Sequence, residues 1–123
     1  MDTAVAFGKV VLDTPDPRGL AAFYAHLLGW EVDPDDDDEW VTIRGAGAAP
    51  LAFQRAEDLV VTTWPAAGIP QQFHLDFDVD SYEGPEARAI ALGATLVDAS
   101  EDHADFRVYT DPSGHPFCLC LRN

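Results

Sequence analysis

Basic residues are scarce in this chain. Seven Lys and Arg stand against 22 Asp and Glu, a formal net charge of −15 over 123 residues. A surface of that sign repels phosphate backbones, which excludes nucleic acid as a partner class, and it attracts cationic ligands. Long apolar runs are also missing, and none approaches the ~20 residues that span a bilayer, so no membrane partner is expected. No charged segment followed by an apolar core opens the chain, so no export signal is expected and a cytoplasmic location is the default expectation. Cysteine is confined to Cys118 and Cys120, two apart in a stretch that reads as a strand. Along a strand their Cα atoms lie about 6.6–6.8 Å apart, at the limit of a disulfide, so both are expected to be free thiols in a reducing compartment.

Aromatic and apolar residues are well supplied: 47% of the chain is hydrophobic, with seven Phe, three Tyr and three Trp. That is enough for a proper core in one domain of this length. The most informative pattern is a repeat. Residues 12–32 (LDTPDPRGLAAFYAHLLGWEV) and 77–97 (FDVDSYEGPEARAIALGATLV) each give a strand end, a turn with Asp and Pro, a helix, Leu-Gly and a new strand. Each is followed later by a Pro-led apolar strand, at Pro50–Phe53 and Pro116–Leu119. One supersecondary unit is used twice.

In the first unit, residues 7–13 read as a strand. Asp16-Pro17 supplies a helix N-cap followed by Pro at the first helical position. Leu20, Phe23, Tyr24, Leu27 and Leu28 follow at helical spacing, and Gly29 ends the helix. Residues 30–32 start a second strand, residues 33–39 (DPDDDDE) form a solvated acidic loop, and residues 40–44 and 51–55 form a hairpin. Residues 56–70 form the connector. The second unit reads as a strand over 71–79, a helix from Pro85 to Leu92 capped by Gly93, and strands over 95–97, 106–110 and 117–121. Asp111-Pro112-Ser113-Gly114 is a tight turn. The expectation is an α+β fold: a single domain over 1–123 with module one at about 7–55 and module two at about 71–121.

Alternation along the strands sorts the side chains by face. Val10 and Leu12 oppose Lys9, Val11 and Asp13. Phe73, Leu75, Phe77 and Val79 oppose His74, Asp76 and Asp78. Phe117, Leu119 and Leu121 oppose Cys118 and Cys120. One side is apolar and suited to packing on helices. The other is mixed polar, which a core does not require, so a small-molecule pocket is expected there.

The stretch from Val11 to Asp16 with Phe23-Tyr24 and Leu27-Leu28-Gly29, the strand at residues 74–80 (HLDFDVD), and residues 111–119 (DPSGHPFCL) together resemble the vicinal-oxygen-chelate superfamily. That superfamily includes glyoxalase I, extradiol dioxygenases and bleomycin-resistance proteins, and the chain looks most like its glyoxalase-like members of unassigned activity. The resemblance covers almost the whole chain. It implies two tandem β-α-β-β-β modules forming a cupped mixed sheet, homodimers, and in the metal enzymes a divalent ion held by ligands from four strands, two per module, with positions left open for substrate oxygens. Carried over by position, those ligand sites fall on Lys9, His74, Cys118 and either Ala52 or Gln54. An ammonium, one imidazole and one thiol do not make the usual set, so no metal and no cofactor are expected.

The resemblance also brings Lys9 and His74 together at the floor of the cup, with Gln54, Asp13, Asp76, Asp78, Arg107 and Tyr109 on the same face. His74 is the candidate general acid/base and Lys9 the candidate charge stabiliser. Against this, Lys9 suits an ion pair with Asp76 or Asp13, and His74 suits a hydrogen-bonded structural role. Gln54, Asp76, Arg107, Tyr109 and Cys118 are candidate substrate contacts, and Trp40 and Trp64 are candidate walls for a flat or apolar ligand. Cys118 is either a nucleophile activated by Lys9 or a small buried hydrophobe. His26, His103 and His115 are expected to be surface or turn residues. Two functions fit. The first is a metal-independent glyoxalase-like lyase or isomerase. The alternative is a non-catalytic, dimeric, bleomycin-resistance-like protein that binds a drug or metabolite.

Overall fold

A computed structural model describes residues 5–34 and 37–122. The chain divides into two compact units, residues 1–59 and 60–123, with the boundary inside the expected connector.

The first unit runs β1 (Val10–Thr14), α1 (Pro17–Leu28), β2 (Glu31–Val32), β3 (Trp40–Arg44) and β4 (Leu51–Arg55). Its sheet has the order β1-β4-β3-β2; β1 is parallel to β4 and the other pairs are antiparallel. The helix is specified locally at both ends. Asp16 accepts a hydrogen bond from Gly19 N at 3.1 Å, Pro17 occupies the first turn, and Gly29 closes the helix at φ 71°. Thr14, wholly buried, accepts from Asp16 N at 2.9 Å and so fixes the approach to the cap. Leu20, Phe23, Tyr24 and Leu27 are buried with Leu12, Val41, Ile43, Leu51 and Phe53. Tyr24 stacks on Phe53 at 5.8 Å between ring centroids.

In the described part of the acidic loop Asp33 is half-buried and residues 37–39 are exposed, as expected, and arginines clasp it. Arg44 Nε donates to both carboxylate oxygens of Asp33 at 3.0 and 2.9 Å, Arg18 pairs with Asp38, and Arg55 pairs with Glu39 and Glu57. Part of that loop, Asp35 and Asp36, lies outside the described residues.

The second unit repeats the plan: β5 (Leu75–Val79), α2 (Glu83–Ala91), β6 (Thr95–Asp98), a 3₁₀ turn (Glu101–His103), β7 (Phe106–Thr110) and β8 (Pro116–Leu121). Its sheet order is β5-β8-β7-β6, again with the first pair parallel. Tyr109 stacks on Phe117 at 5.3 Å, and Phe77 lies 5.8 Å from Phe117. The 111–114 turn forms as expected: Gly114 N donates to Asp111 O, and the buried Asp111 carboxylate accepts from Ser113 N and His115 N.

Several boundaries differ from the sequence expectation, most of all the starts of β1, β5 and α2. β1 and β5 begin at Val10 and Leu75 rather than residues 7 and 71, because their partners start at Pro50-Leu51 and Pro116-Phe117, and Pro brings no N–H to extend a ladder. Phe7 is accordingly exposed. α2 starts at Glu83, ahead of Pro85, because a Pro in the first turn forfeits only an N–H with no intrahelical partner. The connector carries a cis peptide bond between Trp64 and Pro65, and Thr63 Oγ1 clasps it by accepting from Ile69 N at 2.8 Å. Among the described residues no helix is long and apolar enough to cross a membrane.

Candidate functional site

The face of the second sheet that carries Asp76 is where ligand-competent side chains converge. Asp76 and Cys118 are paired in register across β5 and β8, so both project to the same side. His74 sits one residue before β5. Its Nε2 lies 3.0 Å from Asp76 Oδ1, and its Nδ1 lies 2.9 Å from Gln71 Oε1. The imidazole stacks on the Trp64 indole, with centroids 5.0 Å apart and planes 14° from parallel. The ring is therefore held by both nitrogens and by one face. His74 is 28% exposed and Asp76 58% exposed, so solvent and ligands reach the pair.

Cys118 is buried and Cys120 half-buried, both as free thiols. Burial pushes the Cys118 thiol up to about 12, helped by the negative charge of Asp76 and by Cys120; the thiol also donates a hydrogen bond to Asp76. Burial and the charges of Asp76 and Asp78 push Cys120 up to about 11. A nucleophile needs the opposite shift, so the Cys118 environment is that of a protonated, packed thiol.

Arg107 and Tyr109 require a correction. They were expected beside His74 and Asp76 on the polar face. The register of β7 on β8 pairs Arg107 with Leu119 and Tyr109 with Phe117, whereas Val108 pairs with Cys118. Both residues therefore share the apolar face. There Arg107 Nη1 and the Tyr109 hydroxyl donate to one oxygen of Glu86 on α2, at 2.9 and 2.8 Å, and the Arg107 guanidinium lies 4.2 Å from the centroid of the Tyr82 ring. Burial and the bond to Glu86 raise the Tyr109 hydroxyl well above its ordinary range. This network ties α2 to the sheet and does not belong to the polar face. His103, expected as a solvated turn residue, is instead pinned: Nε2 is 3.1 Å from Asp98, Nδ1 is 3.0 Å from Phe106 O, and the ring stacks on Phe106.

In the first unit Gln54 Nε2 donates to Asp13 Oδ1 at 3.2 Å, and the half-buried Trp40 donates from its indole to Thr42 Oγ1 at 3.0 Å. Trp40 is paired with Gln54 and Thr42 with Ala52, so the four share one face with Asp13. Lys9 is exposed, one residue before β1, as His74 stands one residue before β5. Matching the two parallel pairs settles an open register: Val10–Leu51 corresponds to Leu75–Phe117, so Ala52, not Gln54, is the counterpart of Cys118.

These placements test the divalent ion that the resemblance implies. The first unit offers Lys9 and Ala52 at its two positions, and neither donates to a cation. The second offers His74 and Cys118, with Asp76 beside them, and the ligand atoms of those three all lie within 4.8 Å of one another. The four-strand set does not fit this chain; a three-donor set within module two does. Gln71, the partner of His74 Nδ1, was not anticipated. Its position three residues before His74 in an irregular segment carries no periodic signal.

A family model described as a glyoxalase-like domain matches residues 9–120. No protein with a curated description matches the chain. Among solved structures, a glyoxalase/bleomycin resistance protein/dioxygenase family enzyme from Burkholderia phytofirmans PsJN is 23% identical, with 93% of this chain and 96% of that one covered at a TM-score of 0.72. A possible glyoxalase from Bacillus cereus is 15% identical over 95% and 99%, with a TM-score of 0.70. A lactoylglutathione lyase from Agrobacterium tumefaciens is 18% identical over 98% and 96%, with a TM-score of 0.62. At these identities the structural likeness speaks for the fold. With the family model spanning both modules, the chain belongs to the glyoxalase-like domain family of the vicinal-oxygen-chelate superfamily.

Proposed function

We propose that the module-two face around His74, Asp76 and Trp64 is a small-molecule site at which His74 moves a proton in a lyase or isomerase reaction, without an ion in the four-strand position. The observation that carries this reading is the His74–Asp76 pair at 3.0 Å, with the ring fixed by Gln71 and Trp64. A carboxylate that orients an imidazole is what a general acid/base needs. Cys118 contributes packing and a thiol hydrogen bond to Asp76. The charge-stabilising role expected of Lys9 rests on the module repeat and the resemblance, and Lys9→Ala is its test.

The test is a thermal-shift and turnover panel of small hydroxy- and oxo-carboxylic acids and cationic aromatic drugs, run on chelator-treated protein. A stabilising acid that is converted, with turnover falling about 10²–10⁴-fold in His74→Ala, supports the reading. Stabilisation by a cationic aromatic compound without conversion would replace it with the sequestering alternative. Responses identical in wild type and His74→Ala would sink it.

A further inference from the structure

We propose that His74 Nε2, the Asp76 carboxylate and Cys118 Sγ form a three-donor site, contained within module two, for a borderline-soft divalent cation of the Zn²⁺ class. The inference rests on the same residues as the proposed function and adds a second occupant for them.

Two independent observations support it. The first is convergence: one nitrogen, one oxygen and one sulfur donor, all within 4.8 Å of each other. A tetrahedral Zn²⁺ with ordinary bond lengths sets its donors about 3.3–3.6 Å apart, so no pair has to close by more than about 1.5 Å, while His74 Nε2 and Asp76 Oδ1, 3.0 Å apart, have to open slightly. The exposed Asp76 side chain can make that adjustment. The second is the far side of the imidazole. Gln71 Oε1 faces Nδ1 at 2.9 Å, and an amide oxygen can only accept. It therefore holds the ring proton on Nδ1 and leaves the Nε2 lone pair directed at Asp76 Oδ1, 3.0 Å away. Two acceptors facing each other at that distance can both donate to one cation placed between them. A proton there gives the acid/base state, and a metal ion gives the site proposed here. An imidazole whose other nitrogen donates to a carbonyl is also the arrangement that orients metal-bound histidines.

The donor types choose the ion. A thiolate and an imidazole favour Zn²⁺, Co²⁺ and similar ions over Mg²⁺ or Ca²⁺, which take all-oxygen sets. Three protein ligands leave a fourth position open. On binding, a metal–sulfur bond forms, and the S–H bond of Cys118 breaks with its proton going to solvent. An ion on Nε2 also takes up the lone pair that proton transfer requires, so metal occupancy and acid/base function are alternative states of one site.

The experiment is Co²⁺ titration of the full chain, followed by absorption, with the stoichiometry read by native mass spectrometry. The expected result is one ion per chain, a near-ultraviolet sulfur-to-cobalt charge-transfer band, and visible bands of a four-coordinate ion. Cys118→Ser should abolish the near-ultraviolet band, and Cys120→Ser should keep it. His74→Ala and Asp76→Asn should each weaken binding by at least about tenfold. Mg²⁺ should leave the Co²⁺ affinity unchanged. Absence of the band in wild type, or a band that survives in both His74→Ala and Asp76→Asn, overturns the proposal. Asp76 is exposed, so that variant remains informative if Cys118→Ser fails to fold. No organic ligand enters this titration and no metal enters the ligand panel, so the two readings fail separately.

Discussion

Thiol reactivity decides whether Cys118 acts as a nucleophile. Its pKa moves from an ordinary 9.0 to about 12, mainly through burial. At neutral pH that lowers the thiolate fraction about a thousandfold. A more basic thiolate is intrinsically more reactive, and a Brønsted slope of about 0.45 returns roughly twentyfold, for a net slowing of about fiftyfold toward an aromatic disulfide reagent. The same arithmetic for Cys120, moved from 9.0 to about 11, gives a net slowing of about tenfold. Cys118 is also only 2% exposed, which slows it further. The assay is pseudo-first-order modification of chelator-treated Cys118→Ser and Cys120→Ser proteins, with each rate compared with that of the same protein in denaturant. Cys120 should outpace Cys118 at least severalfold, and neither rate should level off below pH 9. Asp76→Asn should accelerate both, since the Asp76 charge holds both thiols up. A Cys118 rate at or above the denatured rate near pH 7 would refute the packing assignment and restore the nucleophile.

Three further outcomes test the fold of the two units. A Cβ on Gly19 would fall 2.1 Å from Asp16 Oδ2, so Gly19→Ala must evict the cap; its helix-propensity gain of about 1 kcal/mol should be cancelled in wild type and recovered in Asp16→Ala, a coupling of about 1 kcal/mol by urea denaturation, and equal effects in both backgrounds would count against the cap. Glu86→Ala leaves the buried Tyr109 hydroxyl without its partner and should cost about 1–3 kcal/mol, with the loss reduced when Tyr109→Phe is added; additive losses would count against the network. His103 has a raised pKa, first from its bond to the Phe106 carbonyl and then from Asp98, so its contribution is fully present below the ordinary value of 6.5 and is lost as pH rises through the raised one; His103→Ala should flatten stability against pH in that window, and an unchanged slope would refute the link.

The parts of the fold legible in the sequence are those with local chemistry. Asp16-Pro17 and Gly29 bracket α1, and the strands at Trp40–Arg44, Leu51–Arg55 and Phe106–Thr110 fall where alternation and turn residues put them. What was not legible depends on partners distant in sequence. The starts of β1 and β5 follow from the prolines opposite them. α2 has no side-chain cap at Tyr82, so its first residue carries no signal. Arg107 and Tyr109 were assigned to the polar face by their own polarity; the register with β8 and the Glu86 carboxylate on α2 put them on the other. A charged residue on an apolar face is legible only when its partner is known.

The same register accounts for the asymmetry of the two modules. They share one parallel pairing and one strand order, yet Lys9, Val11 and Ala52 in the first stand where His74, Asp76 and Cys118 stand in the second. None of the first three donates a lone pair to a cation, and all of the second three can. Ala52 is wholly buried, so a carboxylate placed there would need a partner to offset its desolvation. Recovering the four-strand metal arrangement therefore takes more than one substitution. Lys9→His, at an exposed position before β1, and Ala52→Glu, in a buried strand, would have to be made together, and Ala52→Glu alone should destabilise the chain. Among the described residues, the side chains that could serve as ligands converge on the module-two face, at His74, Asp76 and Cys118. The proposed proton and the proposed soft cation would compete there for the same gap between His74 Nε2 and Asp76 Oδ1, so the ligand panel and the Co²⁺ titration probe one locus.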